Sequence, residues 1–473
     1  MKIHFPLLAA VAFLVLFVPA RALESAAAQS TDAPIGPDVI VTAAPAYAAL
    51  AALKGGERFP KGAQLLLIHA AKAEPLVTGL WATADANVSF DGTRVLFAGK
   101  QGAGDPWRIW ELNLKDRSLR KLIAGQGDAI RPFYLPSGRL VYAQHSTHGF
   151  QLMIAGSEAV PLLAPIDDSA QQSMLPLSYM PGSAVPTEVL QDGRILFESG
   201  FPLGSGTTPE MYLVYSDGSG VESYRCDHGR ARWGGKQLGS GDVVFTHGTS
   251  LARFTSPLAH EEQIQAPHAD YAGSIAETAD GDWLLSARAA AGAHYALKLW
   301  KPGTATLKTV VAIAGKDLLE PVIVAPRVRP KRHPSGLHPW SYANMMALDA
   351  RMSREGDLKA APAAVRLETM DAEGRVVVTG TAPVDSDGSF LVRVPGDRPI
   401  RFALLDQKGA VLRQEHGWFW IRGGEQRYCV GCHTGPERSP DNHVPAVLLR
   451  TTTPVDLTGA KPSQEKPGTS GGN

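Results

Sequence analysis

The sequence predicts an all-β protein: an N-terminal β-propeller of about six or seven blades, then a small antiparallel β-sandwich with a Cys-x-x-Cys-His loop. A turn followed by a short apolar strand recurs about every 40 to 55 residues, the repeat length of four-stranded propeller blades. A later region has short apolar strands between glycine turns but lacks that spacing. The 473 residues include 48 glycines and 35 prolines, which suits a turn-rich β fold.

The first residues have the features of a signal peptide, and we assign residues 1–22 to it. Lys2 precedes an apolar stretch over 5–18, and Ala20-Arg21-Ala22 is a small-x-small cleavage pattern. The apolar stretch is too short for a good transmembrane helix. We therefore expect a periplasmic or extracellular protein with no membrane span after cleavage; an uncleaved anchor is the alternative. Residues 23–45 are rich in Ala, Ser and Pro and predict a flexible linker.

The propeller is predicted over residues 46–328. Gln64–Ile68 and Pro321–Val324 could complete a sixth blade from both chain ends, which would remove a free sheet edge. The alternative is a β-sandwich with coincidental spacing. The repeated turn and strand lie at 91–97, 137–142, 192–197, 240–245 and 280–285, and a second strand follows four of them at 107–112, 151–154, 211–215 and 297–300.

The sandwich is predicted over residues 329–451, after a basic, proline-rich segment at 326–338. Glycine turns at Asp387-Gly388 and Lys408-Gly409 separate its strands. Residues 452–473 are low in complexity and predict a disordered tail. The predicted strands lie at 365–367, 375–378, 389–394 and 400–405.

The motif Cys429-Val430-Gly431-Cys432-His433 is the pattern for covalent attachment of haem c. The two thiols bond the haem vinyl groups, and the adjacent imidazole is placed to ligate the iron. A small disulfide or a zinc site that includes His433 is the alternative. Export favours haem, because c-type haem is attached on the outer side of the bacterial membrane.

Five segments around this motif resemble the hydrazine synthase alpha subunit family, in particular its middle domain. The resemblance implies a TolB-like propeller, then a domain with a c-type haem. In that family the motif histidine turns to zinc, a downstream tyrosine takes the iron, and a further C-terminal domain carries a second haem. Here the tyrosine position falls near Glu437, no tyrosine follows His433, and one C-x-x-C-H is present, so hydrazine synthesis is not implied. The segments are 334–340, 384–390, 399–402, 417–420 and 424–433.

Further candidate ligands and haem neighbours lie outside the motif. Cys226, Asp227 and His228 are consecutive and could hold zinc with His433; the alternative is an inert thiol beside an exposed Asp and His. An aromatic group could wall the haem edge or form ordinary sandwich core. Its members are Trp418, Trp420 and Tyr428, and the candidates for a second axial ligand are His338, Met345, Met346, His416 and His443.

The charge balance excludes some classes of partner. Lys and Arg number 46, as do Asp and Glu, so no basic excess exists to neutralise a nucleic acid or an anionic membrane surface. The leading hypothesis is an exported mono-haem c-type cytochrome-like redox protein, either for electron transfer with a redox partner protein or as an oxidoreductase subunit acting on a small molecule. The alternative is a propeller-based scaffold of a periplasmic complex with a structural haem or zinc. A zinc-stabilised binding protein without haem is a third possibility.

Overall fold

A computed structural model describes residues 35–70, 72–123, 126–156, 174–200, 208–225, 230–353, 356, 358–431 and 439–459. These residues form eight four-stranded sheets and almost no helix, which confirms the predicted fold class. No helix in the described ranges is long and apolar enough to span a membrane. The predicted signal peptide lies outside the described residues.

Within the described residues, six of the sheets are propeller blades around a central channel. The chain starts with β1 (Val39–Ala44), one 3-10 turn (Ala52–Lys54), β2 (Gln64–His69) and β3 (Lys72–Pro75), and the next five blades each take four consecutive strands. Blade 1 is β4 (Ala82–Val88), β5 (Arg94–Lys100), β6 (Arg108–Asn113) and β7 (Leu119–Ile123); blade 2 is β8 (Ala129–Tyr134), β9 (Leu140–Ser146), β10 (Gly149–Ala155) and β11 (Leu175–Pro176); blade 3 is β12 (Ala184–Val189), β13 (Ile195–Gly200), β14 (Pro209–Val214) and β15 (Glu222–Ser223); blade 4 is β16 (Arg232–Gln237), β17 (Val243–His247), β18 (Ser250–Phe254) and β19 (Glu262–Gln263); blade 5 is β20 (Asp270–Glu277), β21 (Trp283–Arg288), β22 (Ala296–Trp300) and β23 (Lys308–Val311).

The repeated turn of the sequence lies before the second strand of each of these five blades. Its glycine has a left-handed backbone, with φ between +73° and +97°, a conformation in which a side chain would be strained. The strands that follow are β5, β9, β13, β17 and β21. Each of them is largely buried, because the packing of blade on blade covers both of its faces.

Blade 6 closes the ring with strands from both ends of the propeller, as predicted. Its innermost strand is β24 (Asp317–Ile323), which pairs antiparallel with β1, and β1 pairs with β2. All six residues of β1 are buried. The prediction of a linker over 23–45 is therefore wrong at residues 39–44. Val39 and Val41 pack between blades 5 and 6, and Ile40 packs between blades 6 and 1.

The other two sheets form a β-sandwich over one shared core. Val365, Leu367 and Phe402 from one sheet meet Met345 and Val392 from the other. One sheet has the order β31-β25-β28-β32 and the other the order β27-β26-β29-β30. The elements are β25 (Tyr342–Ala347), β26 (Ala364–Met370), β27 (Val376–Pro383), β28 (Phe390–Pro395), β29 (Ile400–Leu405), β30 (Val411–Gln414), β31 (Gln426–Cys429), the short helix α1 (Ala446–Arg450) and β32 (Val455–Asp456).

Two strands of the sandwich differ from the prediction. β31 pairs parallel with β25, and β32 pairs parallel with β28, so this sheet is mixed rather than antiparallel. β32 also falls inside the segment predicted as a disordered tail, and Leu457 beside it is buried in the sandwich core. The tail prediction is therefore wrong at residues 455–457. Val455 and Asp456 pair with β28, and the Leu457 side chain packs in the core.

The sandwich is attached to blades 2 and 3 of the propeller through a buried tryptophan. Trp420 is fully buried, and its ring lies 6.3 Å from that of Tyr179 and 6.1 Å from that of Phe197. Its Nε1–H donates to the Gly218 carbonyl at 3.0 Å. Arg422 adds a 3.1 Å bond to the Asp217 carbonyl and a bond of 2.5 Å to the Tyr179 hydroxyl. The aromatic contact and the bonds around it fix the position of the sandwich on the propeller.

Candidate functional site

The predicted haem loop begins where β31 ends. Tyr428 and Cys429 lie beside Met346 and Ala347 of β25 in the parallel ladder. The ladder is continued by two bonds to the loop, from the Leu348 amide to the Cys429 carbonyl at 2.8 Å and from the Asp349 amide to the Val430 carbonyl at 3.2 Å. The first thiol of the motif is therefore held by the sheet. Cys432 and His433 lie outside the described residues.

Gly431 occupies a place in the loop that no larger residue fits. A Cβ added there would lie 2.6 Å from the Asp349 carbonyl oxygen and 2.9 Å from the Met352 Cβ, closer than side-chain carbons approach. The middle of the motif is thus pressed against the segment after β25. Sequence reasoning did not single out Met352, and no signal in the sequence marks it as a neighbour of the loop.

The Cys429 thiol is half-buried at the edge of the sandwich core and forms no disulfide with a described cysteine. Burial raises the pKa of this thiol, and this outweighs the opposite effect of nearby Arg427. A thiol of raised pKa stays protonated at neutral pH and resists adventitious oxidation. Cys226 and Cys432, the other two cysteines of the chain, lie outside the described residues.

The residues on either side of Cys429 in the chain are apolar and exposed: Tyr428 is 70% exposed and Val430 is 41% exposed. Because side chains alternate along a strand, Tyr428 faces away from the core against which Cys429 packs. At the same end of the sheet, α1 is anchored by its Ala446 amide to Asp387 at 2.6 Å and leaves Leu449 76% exposed. Exposed apolar side chains at this end of the sheet suit a flat hydrophobic macrocycle. The residues present therefore fit a covalently attached haem.

The three aromatic candidates have different environments. Tyr428 lies at the loop and faces solvent. Trp420 is buried in the interface with blades 2 and 3, so its role is packing. Trp418 is buried under Arg401, whose guanidinium lies 4.6 Å from its ring centroid, and its Nε1 has no hydrogen-bond partner among the described residues. Of the three, only Tyr428 lies on the open surface beside Cys429.

The candidates for a second axial ligand are dispersed. Met345 is part of the sandwich core, and Met346 is buried beside Tyr428 in the ladder. His338 is exposed and stacks on Trp340 with ring centroids 4.3 Å apart. His416 is exposed on the segment before Trp418. Met345 and Met346 thus lie on the strand beside Cys429, whereas His338 lies before that strand.

His443, the fifth candidate, is held by an acid. Its Nε2 lies 3.0 Å from Asp387 Oδ2, and this hydrogen bond raises the pKa of the imidazole. Its Nδ1 lies 3.0 Å from the Asp441 carbonyl oxygen, so both ring nitrogens have partners and His443 in this position anchors the segment before α1.

The predicted zinc ligands Cys226, Asp227, His228 and His433 all lie outside the described residues. The described residues contain no group of three or more His, Cys, Asp or Glu side chains that could hold a metal ion.

A buried ion cluster in the propeller channel was missed by sequence reasoning. Arg58, from the segment between β1 and β2, pairs with Asp85 at 2.5 Å and also with Glu320, and Arg131 pairs with Glu320 at 2.7 Å. Burial acts to raise the pKa of Asp85, but Arg58 and Arg131 outweigh it and hold the pKa below its ordinary value. Burial raises the pKa of the adjacent Glu198. The four paired charges join blades 1, 2 and 6 through Arg58.

The backbone at this cluster is strained in a repeated way. The innermost strand of each blade has a bulge, and in blades 1, 2 and 6 the first bulge residue is charged and left-handed: Asp85 at φ +61°, Arg131 at +53° and Glu320 at +54°. Gly234 and Gly273 take this place in blades 4 and 5. Non-glycine residues in this region cost roughly 1–3 kcal/mol each and concentrate at functional sites.

These features define a class: a six-bladed propeller with a docked β-sandwich whose edge carries a C-x-x-C-H loop. Residues 345–434 match the hydrazine synthase alpha subunit middle domain, which confirms the resemblance seen in the sequence. Hydrazine synthase of Kuenenia stuttgartiensis is similar in fold, with a TM-score of 0.74 at 17% identity over 88% of this chain and 71% of that chain.

Two TolB structures are less similar. TolB from Acinetobacter baumannii has a TM-score of 0.44 at 12% identity over 63% of this chain and 68% of its own. A putative TolB from Agrobacterium tumefaciens has a TM-score of 0.40 at 12% identity over 58% of this chain and 88% of its own. Comparison with curated proteins gave no match.

Proposed function

We propose that this chain is an exported c-type cytochrome-like redox protein, with Cys429 and Cys432 as the haem attachment sites and His433 as the iron ligand. The observation that carries the proposal is the loop itself. A C-x-x-C-H motif starts at a sheet edge, in the segment that matches the hydrazine synthase alpha subunit middle domain, with exposed apolar residues on either side of Cys429 in the chain. Haem bound there supplies one-electron chemistry.

The described residues of the loop have separate roles in this proposal. The ladder bonds from Leu348 and Asp349 hold the first thiol in place before attachment. Gly431 lets the loop approach the Asp349 carbonyl, so that the two cysteines can face one macrocycle. Tyr428 and Val430 are exposed apolar side chains that a bound haem would cover, and the exclusion of water there would tune its reduction potential. Trp420 fixes the haem domain relative to the propeller.

The partner of this site is either a redox protein or a small-molecule substrate. The matching domain is named for a subunit, which supports a partner protein. An electron carrier holds the iron with two protein ligands, whereas an oxidoreductase leaves one position open. The spin state of the iron therefore separates the two: a low-spin ferric spectrum supports electron transfer, and a high-spin one supports catalysis. Hydrazine synthesis is not proposed, because Glu437 stands near the position where the resembling family has its tyrosine.

The test is a pyridine haemochrome spectrum of the full chain produced with the c-type maturation machinery. We expect a c-type α band that is lost in Cys429→Ser/Cys432→Ser. Cys226→Ser is the matched control, because it removes the third cysteine and should leave the spectrum intact. N-terminal sequencing of the same protein tests cleavage after residue 22, and fractionation tests export.

Zinc analysis of this sample tests a zinc site at Cys226, Asp227 and His228, which His433 would complete only if it did not ligate the iron. One zinc per chain that is lost in Cys226→Ser supports it. A protein with no covalent haem refutes the redox proposal. That result would favour the second candidate, a propeller scaffold for which the fixed docking of the sandwich through Trp420 provides a rigid surface.

A further inference from the structure

The propeller channel contains a cavity of about 640 Å³ on the linker side of the ion cluster. Asp85, Arg131 and Glu320 lie at its inner end, and Ala325 to Arg327 line it where the chain leaves blade 6. Cavities of roughly 300–1,000 Å³ are the size that small ligands occupy. The cavity belongs to the propeller and is separate from the haem loop.

The guanidinium of Arg327 lines this cavity and has no acidic partner among the described residues. Its guanidinium donates to the Val88 carbonyl at 3.1 Å and lies 4.4 Å from the centroid of the Phe90 ring. Burial lowers the pKa of Arg327, and this outweighs the opposite effects of Glu188 and Tyr134. A partly buried guanidinium with free donors is suited to a carboxylate, which it binds through two parallel hydrogen bonds.

The other cations of the cavity are already paired. Arg131 is bound to Glu320, and Lys236 forms an ion pair with Glu188. Of the cations that line the described cavity, Arg327 is thus the one available for an anionic group.

A second wall of the cavity is acidic. Glu277, Asp280 and Asp282, at the turn between β20 and β21, line it, and none of them forms an ion pair with a described residue. Glu277 accepts one hydrogen bond, from the Gly239 amide at 2.7 Å. Carboxylates facing a cavity without cationic partners favour an ammonium group there.

We propose that this cavity binds a small zwitterion, an amino acid or short peptide whose carboxylate pairs with Arg327 and whose ammonium faces Asp280 and Asp282. A simple anion would satisfy Arg327 but meet the three acids, and a simple amine would leave the guanidinium without a partner. A molecule that carries both charges compensates both walls. The volume exceeds that of a single small amino acid, so a short peptide should bind more tightly than glycine.

The test is isothermal titration calorimetry of the full chain with triglycine, glycine, acetate and ethylamine. We expect saturable binding of triglycine, weaker binding of glycine, and at least about tenfold weaker binding of the two singly charged probes. Arg327→Gln should weaken triglycine binding at least about tenfold, since it removes a charge-assisted pair. Asp280→Asn/Asp282→Asn should reduce the preference of the cavity for triglycine over acetate.

The matched control is Arg329→Gln. Arg329 is exposed, belongs to the same linker and lies 5.8 Å from the same Phe90 ring, but does not line the cavity. Its variant should bind triglycine as the wild type does. Circular dichroism checks that each variant is folded. Absence of triglycine and glycine binding, equal losses in the Arg327 and Arg329 variants, or acetate binding as tight as triglycine binding would each overturn the proposal.

Discussion

Replacing Trp420 with alanine should release the sandwich from the propeller without unfolding either domain. The indole is fully buried against blades 2 and 3, and substitutions of buried tryptophan by alanine cost about 3–5 kcal/mol. The sandwich core is built from other residues, among them Val365, Phe402 and Val392, so it should survive the change. The loss should therefore fall on the docking of the two domains.

Trp420→Phe divides this cost into two parts. Phenylalanine keeps most of the apolar contact with Tyr179 and Phe197 but removes the 3.0 Å bond from Nε1 to the Gly218 carbonyl. We expect it to lose about 1 kcal/mol, the net contribution of one hydrogen bond.

Guanidinium unfolding and limited proteolysis of the segment 326–341 measure the effect. Trp420→Ala should split one unfolding transition into two, or shift the transition of the sandwich to lower denaturant, and should accelerate cleavage in the segment. Trp340→Ala is the control, since Trp340 is 37% exposed and an exposed substitution costs about 0.5 kcal/mol or less. Equal effects of the Trp420 and Trp340 variants would refute the role assigned to Trp420.

Three further results are expected. Arg58→Leu should destabilise the propeller by about 3–5 kcal/mol in denaturant titration, because it leaves buried carboxylates uncompensated, whereas loss of the exposed Arg375 pair should cost less than about 1 kcal/mol. In NMR titration the pKa of His443 should lie above 6.5 and should fall in Asp387→Asn. Since the folded pKa is raised, the hydrogen bond between His443 and Asp387 stabilises the fold below pH 6.5, and this stabilisation is lost as the pH rises through the folded pKa. Gly431→Ala should lower the yield of covalent haem on stained gels, and a normal yield would contradict the tight loop.

Much of the propeller could be predicted because its turns are local. A glycine with positive φ before an apolar strand marks the second strand of five blades. The innermost strands of blades 1 to 5 were not predicted, because the bulge interrupts their alternation and polar residues face the channel. β4 contains Asp85, β16 contains Gly234 and Gly235, and β12 contains Pro186, none of which is typical of a strand.

The candidate sites also differ in how far a local sequence pattern could predict them. The Cys429–His433 motif is contiguous, so a single segment carries its chemistry. The ion cluster joins Arg58 to Glu320 across 262 residues, and no local pattern connects the two. Trp420 stands beside the motif in sequence, but its ring packs against the propeller, because the strand bridge at Phe419 turns alternate side chains to opposite sides. Proximity in sequence alone does not assign the aromatic residues to one site.

The shared construction of blade 6 also sets an order of events during synthesis. β1, β2 and β3 emerge first, but the strand that completes their sheet, β24, ends at Ile323. Until about two thirds of the chain has been made, β1 offers an unpaired apolar edge that could join another chain. Folding before that point would trap an open ring. A chain of this design benefits from being kept unfolded until β24 is available, and that is the state in which a general secretion channel would carry it.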